Sequence, residues 1–311
     1  CSFLIEGKVP QLWNAETGEI TKLVEYTSKN GRTDIAIKMH PQESVFVVFK
    51  DEKKELPKVN YEESNTLPKP SFGLDEDNNL EVEVYKNGNY KATVNDSEKW
   101  IINVDDIPNP VEIKGNWTIN FREQDFYKAT IQTDKLFDWT THETEEIKHY
   151  SGTAIYKTTF NIEKGLLKSD RQFQINLGEV NVIAKVILNG KEIGVSWIAP
   201  HQLNITNALK EGENTLEIQV TNQWTNRLIG DEKLPNQTGY VVKRGSPGFG
   251  DSEFRGKFKK MPEWFRNNQP LPEGPRSTFS AYSFQKATDK LLPSGLLGPV
   301  TISTSKIIKR K

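Results

Sequence analysis

The 311-residue sequence predicts an all-β fold, an antiparallel β-sandwich of jelly-roll type preceded by a smaller antiparallel β-sheet domain. Three observations point there. Short apolar runs alternate with polar residues at the period of two that half-buried strands require. Asn87-Gly88 and Asn189-Gly190 stand between such runs and tolerate the positive φ of a type I′ turn. Helical periodicity is nearly absent, and strands in succession without helices pack sheet on sheet.

Residues 1–50 carry "SFLIEG", "GEITKLVEY", "TDIAIKM" and "SVFVVFK". Ile35, Ile37 and Met39 alternate with polar neighbours, whereas "SVFVVF" is continuous and β-branched, the pattern of a buried strand. The charged, proline-bearing stretch 51–73 reads as a surface excursion or linker. "NLEVEVYKNGNYKATV" then gives two alternating runs around Asn87-Gly88, and the prolines of "KWIINVDDIPNP" set a boundary near 108. The expected domains are 1–108 and 109–311.

In the second part, "VEIKGNWTINF" and "GTAIYKTTFNI" read as strands, with Tyr156, Phe160 and Ile162 on one face and Lys157, Thr159 and Asn161 on the other. "QFQINLG" turns Phe173, Ile175 and Leu177 inward. Val186 and Leu188 lead into Asn189-Gly190, Ile193 and Val195 return from it, and Leu216, Ile218 and Val220 share a face. One-turn helices are expected only at pieces such as "TNALK" and "PEWFRNN", where Pro262 suits a first turn.

Composition narrows the function. An aromatic share of 10% with seven Trp argues for a folded chain. A net charge of -1, with no basic block before "KIIKRK", excludes a nucleic-acid partner. The lone Cys1 excludes an internal disulfide framework, and "HETEEIKH" lacks the His spacing of the helical zinc motif. "DEDNNLEVE" has neither the glycine nor the terminal glutamate of a calcium loop and reads as an acidic turn. "GSPGFGDSEFRG" neither follows a clear strand nor opens a helix, so it reads as a loop able to reach a binding face rather than a phosphate cradle. No metal and no cofactor is expected. No apolar run is long enough for a membrane span. Cys1 fits a lipidated mature terminus, but "CSFLIEG" passes straight into a strand pattern, as in a chain cut from something longer.

"YSGTAIYKTTF", "INLGEV" and "AKVILNGKEIGVSWIAPHQLNITNALKEGENTLEIQVTN" together resemble the sugar-binding jelly roll of family 2 glycoside hydrolases, a galactose-binding-like fold. "NQWTNRLIGDEKLP" and "LLPSGLLGPVTI" are similar to the C-terminal region of family 106 glycoside hydrolases, the α-L-rhamnosidases, and "VPQLWNAETGEI" resembles the segment that follows their catalytic barrel. The resemblance implies a non-catalytic region of a multimodular bacterial enzyme, periplasmic or extracellular, with carbohydrate and the parent catalytic barrel as partners. The barrel's alternating helices and strands are missing here, so the family's catalytic residues have no counterparts in this sequence.

Sugar sites combine an aromatic face with planar hydrogen-bonding side chains. Trp197 and Trp224 lie near strand ends, where they either face a sugar or plug the sandwich rim. Asn226, Arg227, Asp231 and Glu232 follow a strand closely enough to read hydroxyls together, or Arg227 and Asp231 form an internal salt bridge. Trp139 and His142, in "FDWTTHETEE", stand on a loop that either faces a neighbouring domain or is a solvated acidic stretch. The carboxylate pairs Asp231/Glu232, Asp251/Glu253 and Glu143/Glu145 are sequence neighbours, which does not establish the separation glycoside hydrolysis needs. No catalytic residue is assigned.

Overall fold

Two buried apolar clusters organise the computed structural model, which describes residues 1–51, 56–62, 68–122, 127–235, 240–241, 257–258, 262–272, 274–278 and 285–310. The first gathers Val24, Phe72, Val82, Tyr90, Val94 and Ile102. The second, larger one gathers Trp117, Trp139, Tyr150, Tyr156, Phe173 and Ile218. Each arises because alternate strand residues point to one face.

The chain begins with β1 (Ser2–Phe3), β2 (Val9–Asn14), β3 (Ile20–Lys22), β4 (Tyr26–Lys29), β5 (Arg32–Ile35), β6 (Val45–Lys50), β7 (Val59–Glu62), β8 (Ser71–Leu74), β9 (Leu80–Val84), β10 (Gly88–Val94) and β11 (Glu98–Val104), and the first cluster is built from β7 to β11 with Val24 and Ile107. Three small sheets have the orders β1-β5-β4, β3-β2-β6 and β11-β10-β7. The chain continues through β12 (Val111–Glu112), β13 (Trp117–Phe121), β14 (Ala129–Thr133), β15 (Thr153–Ile162), β16 (Arg171–Asn176), β17 (Glu179–Asn181), β18 (Ile183–Leu188), β19 (Lys191–Ser196), β20 (Gln202–Asn204), β21 (Gly212–Thr221), β22 (Tyr240–Val241), β23 (Lys257–Phe258), β24 (Gly295–Gly298) and β25 (Thr301–Lys309). The sandwich sets the antiparallel sheet β14-β13-β15-β21-β18-β19 against β20-β16-β25-β9-β8, with β12 also paired to β25. Short helices are α1 (Glu145–Lys148), α2 (Thr225–Glu232) and α3 (Glu263–Arg266), the last preceded by Pro262. The fold is thus the all-β sandwich that the strand alternation predicts.

The inward positions follow the sequence pattern: Phe173, Ile175, Leu177, Val186, Leu188, Leu216, Ile218 and Val220 are all buried. Asn189 and Gly190 turn β18 into β19 with φ of 52° and 79°, both positive as a type I′ turn demands.

Four expectations need correction. Asn87-Gly88 is not a hairpin turn, because β9 pairs with β8 and β25 while β10 pairs with β11 and β7. Instead the Asn87 amide holds the backbone of Ile107, donating to its carbonyl at 2.9 Å and accepting from its N–H at 2.8 Å. The tight turn lies one strand later, at Asn95 and Asp96, with φ of 49° and 57°. Part of the stretch 51–73 is strand, since β7 and β8 both pair within sheets. Third, the run "SVFVVF" is not enclosed: Phe46 is exposed and the rest of β6 is at most half-buried or exposed. Finally, residues 225–232 form a helix where a loop following the strand is expected.

The sheet that carries β16 and β25 continues into β9 and β8, so it crosses residue 108, while the two buried clusters lie almost wholly to either side of it. Asp106 ties the crossing. Its carboxylate meets Lys306 at 2.7 Å and Arg171 at 3.2 Å, and its carbonyl accepts from Arg171 at 2.7 Å. The Lys306 ammonium, with Arg171 and Lys168 nearby, lowers the Asp106 carboxyl to about 2.

Candidate functional site

The sheet β14-β13-β15-β21-β18-β19 turns a polar face outward. On β13, β15, β21 and β18, Thr118, Lys157, Glu217 and Ile187 stand side by side. Their chain neighbours Ile119, Tyr156, Ile218 and Val186 are fully buried, so this row faces outward. Thr159 and Thr215 form the next outward pair. With Asn116 and Gly190 at its ends, the face encloses a depression of about 480 Å³. Lys157 and Glu217 pair at 3.0 Å, and the Gln219 amide donates to Glu217 at 2.7 Å. Burial alone would raise the Glu217 carboxyl, but the Gln219 and Lys157 hydrogen bonds outweigh it and hold it below the usual range. The arrangement offers hydroxyls, an amide, an ammonium and a carboxylate over an apolar floor, which are the groups that read sugar hydroxyls.

An apolar end adjoins it. Ser196 aligns with Ala184, and Ala184 with Val220, which places Trp197 beside Ile183 and Thr221. Trp224 follows Thr221 by three positions, so both tryptophans come to the same end of the sheet. Each is 56% exposed, and Ile183 and Val195 nearby are exposed as well. Of the two readings, rim plug and outward face, the exposure favours the second.

The remaining candidates lie inside or are held by neighbours. Trp139 is fully buried; its indole N–H donates to the Tyr156 hydroxyl at 2.6 Å, and that hydroxyl also accepts from Leu296 N at 3.1 Å. A side chain sealed in the core cannot stack on a sugar, so Trp139 is a core residue. His142 is half-buried, its Nδ1 accepting from Thr144 N at 3.1 Å beside the Phe137 ring. Asn226, Arg227 and Asp231 are buried on α2, contrary to a hydroxyl-reading role. The Asn226 amide exchanges hydrogen bonds with the backbone of Leu292, at 2.7 and 2.8 Å, and donates to Ser294 Oγ at 3.0 Å. Asp231 accepts from Ser277 N at 3.3 Å, Thr278 N at 2.7 Å and Thr278 Oγ1 at 2.5 Å. Arg227 lies 3.9 Å from Asp231, and Glu232, partly buried, pairs with Arg276 at 3.2 Å. α2 is therefore a clamp that holds 276–278 on one side and 292–294 on the other.

The same clamp explains the motif "LLPSGLLGPV". Ser294 N donates to Asp138 at 3.0 Å, and a Cβ on Gly295 would stand 2.5 Å from the Trp139 indole nitrogen and 2.8 Å from the Tyr156 hydroxyl. Only glycine permits that approach, at a φ of 104°. Asp251, Glu253 and the loop "GSPGFGDSEFRG" lie outside the described residues. Among the described residues no group of His, Cys, Asp and Glu is placed to hold a metal, and no helix is long and apolar enough to cross a membrane. Alternation alone turns Lys157 and Thr159 away from the core, but only the pairing register, which one strand does not reveal, joins them to Glu217 and Thr215.

Two packed antiparallel sheets with a polar, tryptophan-bordered outer face define a galactose-binding-like sandwich of the kind glycoside hydrolases carry. Residues 90–261 match the family described as glycosyl hydrolase 2 galactose-binding domain-like, and the chain belongs to that family. Over 200 residues, 64% of the chain, it is 44% identical to a Formosa agariphila protein named "Putative beta-glucuronidase", of which the match spans 16%. The fold also superposes on a rhamnosidase from Novosphingobium sp. PP1Y over 98% of this chain and 21% of that one, with a TM-score of 0.55 at 24% identity. The chain thus spans about a fifth or less of the length of these relatives.

Proposed function

We propose that this chain is a non-catalytic, carbohydrate-binding and bracing region of a multimodular α-L-rhamnosidase-like glycoside hydrolase that acts on polysaccharide in the periplasm or outside the cell. On this reading residues 1–108 are the segment next to the catalytic barrel and 109–311 the sugar-facing sandwich. The observation that supports it best is the outer face of the sheet β14-β13-β15-β21-β18-β19, where the polar depression around Ile187 lies four residues along β18 from Ile183 and the exposed Trp197. At about 3.3 Å per residue that spacing suits an oligosaccharide, the indole covering the apolar face of one ring and the polar row meeting the hydroxyls of another. The family match supports the glycosidase context, and the fold likeness to a rhamnosidase is what favours that branch over others.

The test is a titration of the chain with rhamnose- and galactose-containing oligosaccharides, followed by tryptophan fluorescence and calorimetry. Saturable binding is expected, and Trp197→Ala weakens it by about tenfold or more with an unchanged circular dichroism spectrum. Absence of binding to every glycan leaves only the bracing role.

A further inference from the structure

The run "SVFVVF" asks for cover on both faces, and one face is open. β6 pairs with β2, and β2 with β3, so that Phe46, Trp13 and Ile20 stand in one row across three strands. Phe46 is 63% exposed and Ile20 54%, and Trp13 is only half-buried. β2 is buried through Val9, Pro10 and Gln11 and opens from Leu12 onward, so the open row lies at the outer end of this sheet. Apolar side chains scattered singly over a surface carry no message, but three large ones in register form a contiguous tract. Aromatic side chains are also what the cores of interfaces select.

We propose that this row seats the remaining body of the glycosidase to which the chain belongs, as an interface between regions of one enzyme; this rests on the reading that the chain is one region of a larger protein. Size argues for that occupant. The stretch shared with the Formosa protein is 16% of it, and the whole fold is 21% of the rhamnosidase, so each has a far larger body for such a face to meet. Charge argues against a second copy of this chain. Lys22 and Lys50 lie on the same face as Trp13, with the Lys50 ammonium 5.7 Å from the Trp13 ring centroid. A two-fold pairing of identical rows would set like charges against one another. The partner surface is therefore an apolar patch bordered by carboxylates.

Phe46→Cys in a Cys1→Ser background places a thiol on the row, and maleimide labelling is read at the peptide spanning 45–50 by mass spectrometry. The chain alone labels fast at every concentration, and the whole gene product labels at least about tenfold more slowly. Equal rates in a gene product longer than 311 residues overturn the assignment of this face and leave the larger-enzyme reading standing. A gene product no longer than this chain overturns that reading and the proposal with it. Slow labelling of the isolated chain that quickens on dilution gives the row to a second copy and equally overturns the proposal.

Discussion

The cluster around Trp139 is closed on itself, whereas the sheet β3-β2-β6 leaves Trp13, Ile20 and Phe46 at its surface. In the first, Trp139 and Tyr156 both fill volume and satisfy polar groups: the Trp139 indole and the Leu296 amide both donate to the Tyr156 hydroxyl in the interior. Phe121, Trp139 and Tyr150 pack edge to face with centroids 4.8 to 5.4 Å apart. The second region has the same kinds of residues in the same kind of strand, but no opposing layer over its open row. Composition alone does not make a core; a facing surface does.

The contrast is open to attack, most severely at Trp139. Trp139→Ala removes the centre of the closed cluster and one of the two donors to the Tyr156 hydroxyl, so it costs about 3–5 kcal/mol, read as a fall in the urea midpoint. A loss below about 1 kcal/mol would mean that the interior collapses around the gap and is less rigid than the hydrogen bonds imply. Next in size, Asn226→Ala removes the acceptor of the Leu292 N–H and one of the two donors to its carbonyl, and costs about 1 kcal/mol in the same measurement.

Acid separates the regions further. His149 and His201 are buried in the sandwich that holds the Trp139 cluster, and in each burial lowers the imidazole pKa; for His149 it outweighs the raising effect of the bond to the Glu145 carbonyl. As pH falls below about 6.5 the unfolded chain binds protons that the folded one refuses. Stability therefore declines between the ordinary imidazole pKa and the lowered one, then levels off. His149→Gln should flatten that slope in denaturation curves between pH 7 and 5; an unchanged slope would remove His149 as a cause. Asp106 acts lower: its contribution is complete above the ordinary carboxyl pKa and is lost as pH falls through about 2. The smallest effect belongs to the open row. Phe46→Lys should alter stability by no more than about 0.5 kcal/mol by thermal melting, because the Phe46 side chain is largely exposed.

Much of the sandwich was legible in its alternation; β16 and β21 place their apolar residues on the side that proves buried, and β15 and β18 do so for Tyr156, Ile162, Val186 and Leu188, while Ile155, Ile183 and Ile187 lie on the other face. Turn chemistry was legible only in part. Asn-Gly states which backbone angles are tolerated, not which strands will pair, and β9 finds its partner in β25, more than two hundred residues away. Of the candidate site, Trp197 and Trp224 were placed rightly near strand ends, while Trp139 and the α2 cluster were not. Periodicity says nothing about loops, and Asn226 and Asp231 look the same in sequence whether they face a sugar or the backbone of 276–294. The polar row was missed since it exists only once four strands lie in register.

The α2 clamp has a bearing on how this protein tolerates change in length. Because Asp231 and Asn226 hold 277–278 and 292, the chain leaves the helix near 235 and is returned to it twice. Both connections therefore have their ends fixed, and doubling the length of a chain closed in this way costs only about 0.6 kcal/mol in closure entropy. Insertions between these anchor points are thus tolerated far better than insertions within the sandwich strands.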